Sequence, residues 1–293
     1  MDTVLRSRSR TVTIGSEQPF CIIGERINPT GRKSFAEQLR GGDLSTVTVD
    51  AVAQVEAGAD MLDVNAGIPL VDEPELLKSM LRTAQEAVDV PICIDSSVIE
   101  ALEAGLSVYE GRALVNSVTA EDERLEEILP LVARHGAAVI GLANDEKGIP
   151  ETAEKRLELA RKIVSAAGDH GIAAADVVID PLAMTVGADT EAVTTTLKAI
   201  RLIREELGVN MCLGASNVSF GLPQRHVLNA AFLPMAMAAG LTSAIMSTAP
   251  PCVEAVRASD LLLGHDPWGA RWIAAHRARQ AAAASEQEAV AAR

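Results

Sequence analysis

Residues 125–143 read LEEILPLVARHGAAVIGLA, and the fold is legible in that one stretch. Leu125, Ile128, Leu129 and Val132 recur every three or four residues, the spacing of an amphipathic helix. His135-Gly136 then offers a left-handed turn, and 138–143 is the unbroken apolar run expected of a parallel strand buried on both faces. The same unit repeats outward in both directions. Apolar runs stand at 21–27, 61–66, 91–96, 113–118, 138–143, 177–182, 211–218 and 243–248. Helical stretches at 44–57, 97–104, 125–134, 151–167, 191–207 and 227–239 run into Gly58, Gly105, Gly136, Gly168, Gly208 and Gly240. Eight strands with crossover helices close a (β/α)8 TIM barrel, an α/β fold of one domain. An open doubly wound sheet competes, but no GxGxxG follows the first strand. The barrel is expected over 20–270, flanked by an N-terminal arm at 1–19 and a C-terminal helical tail at 271–293. The start of the arm, where Arg6, Arg8 and Arg10 alternate with serine, reads as solvated chain, with a transit peptide as the alternative.

Composition narrows the partners. A formal charge of −14 opposes non-specific binding to nucleic acid or anionic lipid. Two Trp, one Tyr and four Phe are too few rings for a base-stacking platform. No charge-free apolar run is long enough to span a bilayer, and residues 1–10 lack the apolar region of a secretory signal. A cytoplasmic protein without nucleic-acid or membrane partners is expected. Cys21, Cys93, Cys212 and Cys252 form no CxxC, and the first three lie inside apolar runs. They read as free buried thiols, with a three-thiolate zinc site as the alternative.

In a barrel the chemistry sits where the strands end. The residues closing the apolar runs are Glu25, Arg26 and Asn28; Asp63 and Asn65; Asp95, Ser96 and Ser97; Asn116 and Ser117; Asn144 and Asp145; Asp180; and Ser216, Asn217 and Ser219. No lysine ends a strand, so a Schiff base has no obvious nucleophile. None of the five histidines does either, and neither HxH nor HExxH occurs, so no metal is expected. A ring of carboxylates and amides suits a flat heterocycle with a guanidine-like edge, and a pterin has that edge. Any one of these aspartates reads equally as the N-cap of the following helix.

The strings IGERIN (23–28), LDVN (62–65), CIDSS (93–97), VNS (115–117), GAAVI (136–140), IDP (179–181) and GASNVSFGLP (214–223) occur in order. With them the chain resembles the pterin-binding methyltransferases from about residue 20 to about 265. These are the methyltetrahydrofolate:corrinoid protein methyltransferases and the folate domain of cobalamin-dependent methionine synthase. The resemblance implies a pterin held by Asp95, Asn116 and Asp180, with Asn217 at N5 and Arg225 near the folate; Asn217 and Asp95 are the catalytic candidates. Asp63, Asn65 and Ser219 are implied as further pocket residues. Glu25 and Asn28 match the family string without an assigned role.

The substrate implied is tetrahydrofolate or 5-methyltetrahydrofolate, and the methyl group moves between its N5 and cobalt. The chain has no Asp-x-His-x-x-Gly string, so cobalamin is expected on a separate corrinoid protein. The same site serves either direction of transfer. A homodimer is implied as well. Two alternatives stay open: a non-catalytic folate-binding subunit of a methyltransferase complex, and a dihydropteroate synthase-like transferase. Against the latter, Asn65-Ala66-Gly67-Ile68-Pro69 stands where those enzymes carry a Gly-Gly-Glu-Ser-Thr-Arg-Pro-Gly loop, and their late Ser-x-Arg is missing.

Overall fold

The computed structural model describes residues 1–277 and residue 280. Two strands, β1 (Asp2–Arg6) and β2 (Thr11–Gly15), form an antiparallel hairpin. Eight parallel strands follow: β3 (Cys21–Ile27), β4 (Met61–Asn65), β5 (Ile92–Asp95), β6 (Leu114–Thr119), β7 (Ala138–Leu142), β8 (Val177–Asp180), β9 (Cys212–Gly214) and β10 (Ser243–Met246). They run side by side as β8-β7-β6-β5-β4-β3-β10-β9. The two edges meet at a single parallel bridge, Ile179 to Met211, where the Ile179 N–H donates to the Asn210 carbonyl at 2.9 Å. The barrel is therefore closed, with its seam between β8 and β9.

Alternate side chains of each strand explain why both faces are apolar. Ile22, Leu62, Ile94, Val115, Val139 and Ile179 face outward and bury against the helices. Ile23, Met61, Cys93, Leu114, Ile140 and Val178 face inward and fill the barrel. Cys21 and Cys212 join that inner layer; all four cysteines are free and buried, and desolvation pushes the thiols up. Around the strands lie α1 (Lys33–Arg40), α2 (Ser45–Glu56), α3 (Glu73–Ala87), α4 (Ile99–Val108), α5 (Asp122–His135), α6 (Ala153–Asp169), α7 (Ala192–Glu206), α8 (Arg225–Ala239) and α9 (Pro250–Leu262).

Three local expectations need correction. Gly105 does not end a helix but lies inside α4, where an added Cβ would sit 3.0 Å from Ile94 and Leu81. It serves close helix–strand approach rather than a turn. Gly168 likewise lies inside α6, and the left-handed turn falls at Gly171 with φ 79°. The seventh strand stops at Gly214 instead of running to 218, because Ala215–Ser219 winds into a 3-10 turn.

The solvated arm is also overturned. Leu5 and Ile14 of the hairpin are fully buried and belong to the same cluster as the inward strand residues. The hairpin plugs the amino-terminal end of the barrel. The Asn210 amide ties it down, donating to the Ile14 carbonyl at 2.8 Å and to Thr3 Oγ1 at 2.9 Å. Ser7 and Ser9 at its turn donate to Asp89. Leu5→Ala is expected to destabilise the protein by about 2–5 kcal/mol, the range for a buried leucine cut to alanine. Urea unfolding measures it, and ligand affinity at the far end of the barrel stays unchanged. Of the C-terminal tail, residues 270–277 are helical; the expectation for 278–279 and 281–293 lies outside the described residues.

Candidate functional site

At the carboxyl end of the strands a cleft of ≈ 440 Å³ opens. Register brings its walls together: Asn65 pairs with Asp95 and Asp95 with Asn116 across β4, β5 and β6. Asp63 lies one inward position deeper on β4 and is almost fully buried. Glu25 reaches the cleft from β3, Asp180 from β8, and Asn217 from the turn after β9. Side chains separated by nearly two hundred positions thus face one cavity.

The carboxylates are tuned by burial. Desolvation and the neighbouring charge of Asp95 push the Asp63 carboxyl well above the ordinary carboxylate range. Asn116 Nδ2 donates to Asp63 Oδ1 at 3.1 Å. Asn65 Nδ2 donates to Asp95 Oδ2 at 2.9 Å. Burial raises Asp95 to about 6, opposed by the hydrogen bonds from Asn65 and Asp63. Burial raises Asp180 to about 6 as well, opposed by backbone N–H bonds, with Leu182 N–H donating to its Oδ1 at 2.7 Å. Asp95 and Asp180 therefore face the cleft largely ionised at neutral pH, while the Asn116 amide, donating to Asp63, leaves its carbonyl to the cavity. The set can accept several N–H donors from one planar ligand edge.

The expected pocket residues divide in two. Asp63, Asp95, Asn116, Asp180, Asn217 and Arg225 line the cleft, whereas Asn65 and Ser219 do not. Asn65 is spent holding Asp95 and accepting the Gly67 N–H at 2.8 Å. Ser219 is fully buried and accepts from Arg225 Nε at 3.1 Å. Arg225 also donates from Nη2 to the Ser216 carbonyl at 2.7 Å and so braces the turn that carries Asn217. The Asn217 side chain is exposed and takes no hydrogen bond among the described residues. Its amide rests against Gly214, where a Cβ would come within 3.0 Å of Nδ2.

Arg156 escaped the sequence reading, and Ser216 stood in it only as a strand-closing residue. Arg156 on α6 is 3% exposed and donates to the carbonyls of Pro150 at 3.0 Å, Pro181 at 2.9 Å and Leu182 at 2.7 Å. It shores up the turn after Asp180, where Leu182 adopts φ 67°. Nothing in its mid-helix setting signals that task. Ser216, beside Asn217, donates to Glu25 Oε1 at 2.9 Å. The loop after β8 is stitched to the loop after β9, with Val186 N–H donating to the Val218 carbonyl at 3.0 Å and Thr185 Oγ1 to the Phe220 carbonyl at 2.8 Å.

Among the described residues no group of three or more His, Cys, Asp or Glu is placed to hold a metal, and no helix is long and apolar enough to cross a membrane.

Comparison with known proteins points one way. The family model described as pterin binding enzyme matches residues 24–247. Methylcorrinoid:tetrahydrofolate methyltransferase of Eubacterium limosum is 36% identical over 252 residues, covering 84% of this chain and 92% of that protein. Methionine synthase of Mycobacterium tuberculosis (strain ATCC 25618 / H37Rv) is 35% identical over 251 residues, covering 80% of this chain but 21% of the longer protein. Among solved structures, Yersinia pestis DHPS with a pterine-sulfa conjugate superposes with a TM-score of 0.69 at 16% identity, over 89% of this chain and 100% of that one. The 7,8-dihydropteroate synthase of Vibrio fischeri ES114 gives 0.69 at 17% identity, over 90% and 100%. At such identities these two show the fold alone.

Proposed function

From the premise that this chain belongs to the pterin binding enzymes, we propose that it is a methyltransferase acting between N5 of (methyl)tetrahydrofolate and the cobalt of a corrinoid. The corrinoid is a co-substrate carried by a separate protein. The observation that carries the reading is the convergence of Asp95, Asn116, Asp180 and Asn217, from four separate strand ends, on one cleft. Asp95 and Asp180 accept the ring N–H and exocyclic amine of the pterin, and Asn116 completes that edge. Asp63 and Asn65 hold Asp95 and Asn116 in place from behind.

Methyl transfer is an in-line displacement on carbon, and a tertiary amine leaves poorly unless its nitrogen gains a proton or a strong hydrogen bond. Asn217, unencumbered at the rim, supplies a hydrogen-bonding group there, and the bonds from Arg225 hold the turn beneath it. The protein's task is to keep the two reacting centres aligned. By microscopic reversibility the same groups serve transfer in both directions. We take the homodimer from the family resemblance and the cytoplasmic setting from the sequence composition.

Single-turnover mixing tests the reading. The full chain with 5-methyltetrahydrofolate and cob(I)alamin is expected to form methylcobalamin, followed by absorbance. A chain that binds folate at equilibrium but transfers no methyl group would instead be a binding subunit.

A further inference from the structure

Among the described residues, Glu25 is the carboxylate on the cleft wall that neither meets the pterin edge nor braces a residue that does. It stands on β3, separated from β9 only by β10 in the barrel, and so shares its side of the cleft with Asn217. The residue beside Asn217 anchors it: Ser216 Oγ donates to Glu25 Oε1 at 2.9 Å, while Ser216 Oγ itself accepts from Asn229 Nδ2 at 3.3 Å. Ser216 is 9% exposed and Asn229 3% exposed, so the relay is largely shielded from water. The other oxygen of Glu25 takes no hydrogen bond among the described residues.

Resting on the methyl-transfer reading, we infer that Glu25 is a catalytic residue that exchanges the proton of N5. When methyl passes to tetrahydrofolate, the N5 lone pair forms the N–CH3 bond as the carbon–cobalt bond breaks. The electron pair of that bond returns to cobalt, which goes from Co(III) to Co(I). N5 is left as an ammonium bearing its original hydrogen, and the Glu25 carboxylate takes that proton. In the reverse direction the Glu25 carboxyl gives the proton back to N5 of 5-methyltetrahydrofolate, and the amine departs neutral.

The surroundings suit a group that must both take and release a proton. Burial lifts the Glu25 carboxyl above the ordinary range. The groups opposing that lift are the Ser216 hydroxyl, Arg225 and His226 on α8, and Arg26 on its own strand. Asp63 on β4, itself pushed well up by burial, and Cys252 on α9 are the other titratable neighbours.

Glu25→Gln tests this, because glutamine keeps the shape and can still accept from Ser216 but cannot carry the proton. Wild type and variant are mixed with methylcobalamin and tetrahydrofolate, and separately with cob(I)alamin and 5-methyltetrahydrofolate, across pH. The wild type is expected to show one titration acting in opposite senses: the rate toward folate falls as pH drops below the Glu25 pKa, and the rate from folate falls as pH rises above it. Glu25→Gln is expected to lose that titration in both directions and about a hundredfold in rate, the lower end for a positioned proton carrier. Its equilibrium affinity for tetrahydrofolate stays near wild type, and Glu25→Asp recovers the pH dependence. A Glu25→Gln protein with the wild-type rate and pH profile would overturn the assignment while leaving the methyl-transfer reading intact. Equal losses of affinity and rate would also overturn it, making Glu25 a binding group. A wild type that binds folate yet transfers nothing in either direction would sink the underlying reading itself.

Discussion

Asn217→Ala is expected to bind tetrahydrofolate nearly as well as wild type and to transfer methyl about 10²–10³ times more slowly, the loss seen when one preorganised polar group is removed from a reacting centre. The split follows from where the residue sits. Affinity for the pterin edge is carried by Asp95, Asn116 and Asp180, which have their own buried supports in Asn65, Asp63 and the Leu182 N–H. Among the described residues, none of those supports hydrogen-bonds to the Asn217 side chain. Its turn is instead braced by Arg225, whose bonds run to Ser216 and Ser219 and survive the truncation. A group that strengthens its hydrogen bond only as charge develops on N5 adds little to ground-state binding. Equilibrium titration with tetrahydrofolate and single-turnover rates measured on the same sample decide the matter. Parallel losses in both would place Asn217 among the binding groups.

Asp180→Asn should act in the opposite sense, weakening folate binding while making the unliganded protein more stable. The folded state raises Asp180 from 3.8 to about 6, chiefly by burial. Between those values the native protein binds more protons than the unfolded chain, so this residue's effect on stability becomes less favourable as pH rises through that window. Above it the ionised carboxylate is a standing cost, which asparagine removes. The variant's melting temperature is expected to exceed wild type at pH 8, and the gap should close as pH approaches 4. The Leu182 N–H keeps an acceptor in asparagine. The amide then presents donors where the pterin also donates, and loss of a charge-assisted pair lowers affinity about 10- to 100-fold. Wild-type affinity should itself decline below about pH 6 as Asp95 and Asp180 take up protons. Thermal melts of the unliganded protein and folate titrations at pH 5 and pH 8 check both halves. A variant that melts lower at pH 8 would show that the carboxylate is no burden.

The eight strands were legible because a strand buried on both faces has to be apolar throughout, and each such run ends in polar residues where the barrel opens. That rule placed Asp95, Asn116 and Asp180 among the strand-closing residues; the resemblance to the pterin-binding methyltransferases picked them out of that set, and the cleft collects them. The rule does not separate a residue facing the ligand from one holding its neighbour, so Asn65 and Ser219 read like pocket residues although both are committed to internal hydrogen bonds. Arg156 was invisible, since a charged residue in an amphipathic helix ordinarily faces water, and only the chain's return past Pro181 buries it. The hairpin left a signal, the alternation of Val12, Thr13 and Ile14 after Val4 and Leu5, but the intervening Arg/Ser run drew the reading toward solvent. Period-two alternation over so few residues gains meaning only when an open barrel end is there to receive it.

That hairpin also backs the site. Leu5 and Ile14 pack beneath the inward-facing strand residues that fill the cylinder, so the vestibule of Asp180 and Asn217 has a solid floor and, among the described residues, opens at the carboxyl ends of the strands. On the methyl-transfer reading, folate and the corrinoid carrier approach through that same opening, the small molecule beneath the large one. Initial rates are then expected to fall at high carrier concentration, where a docked carrier blocks the exit of folate.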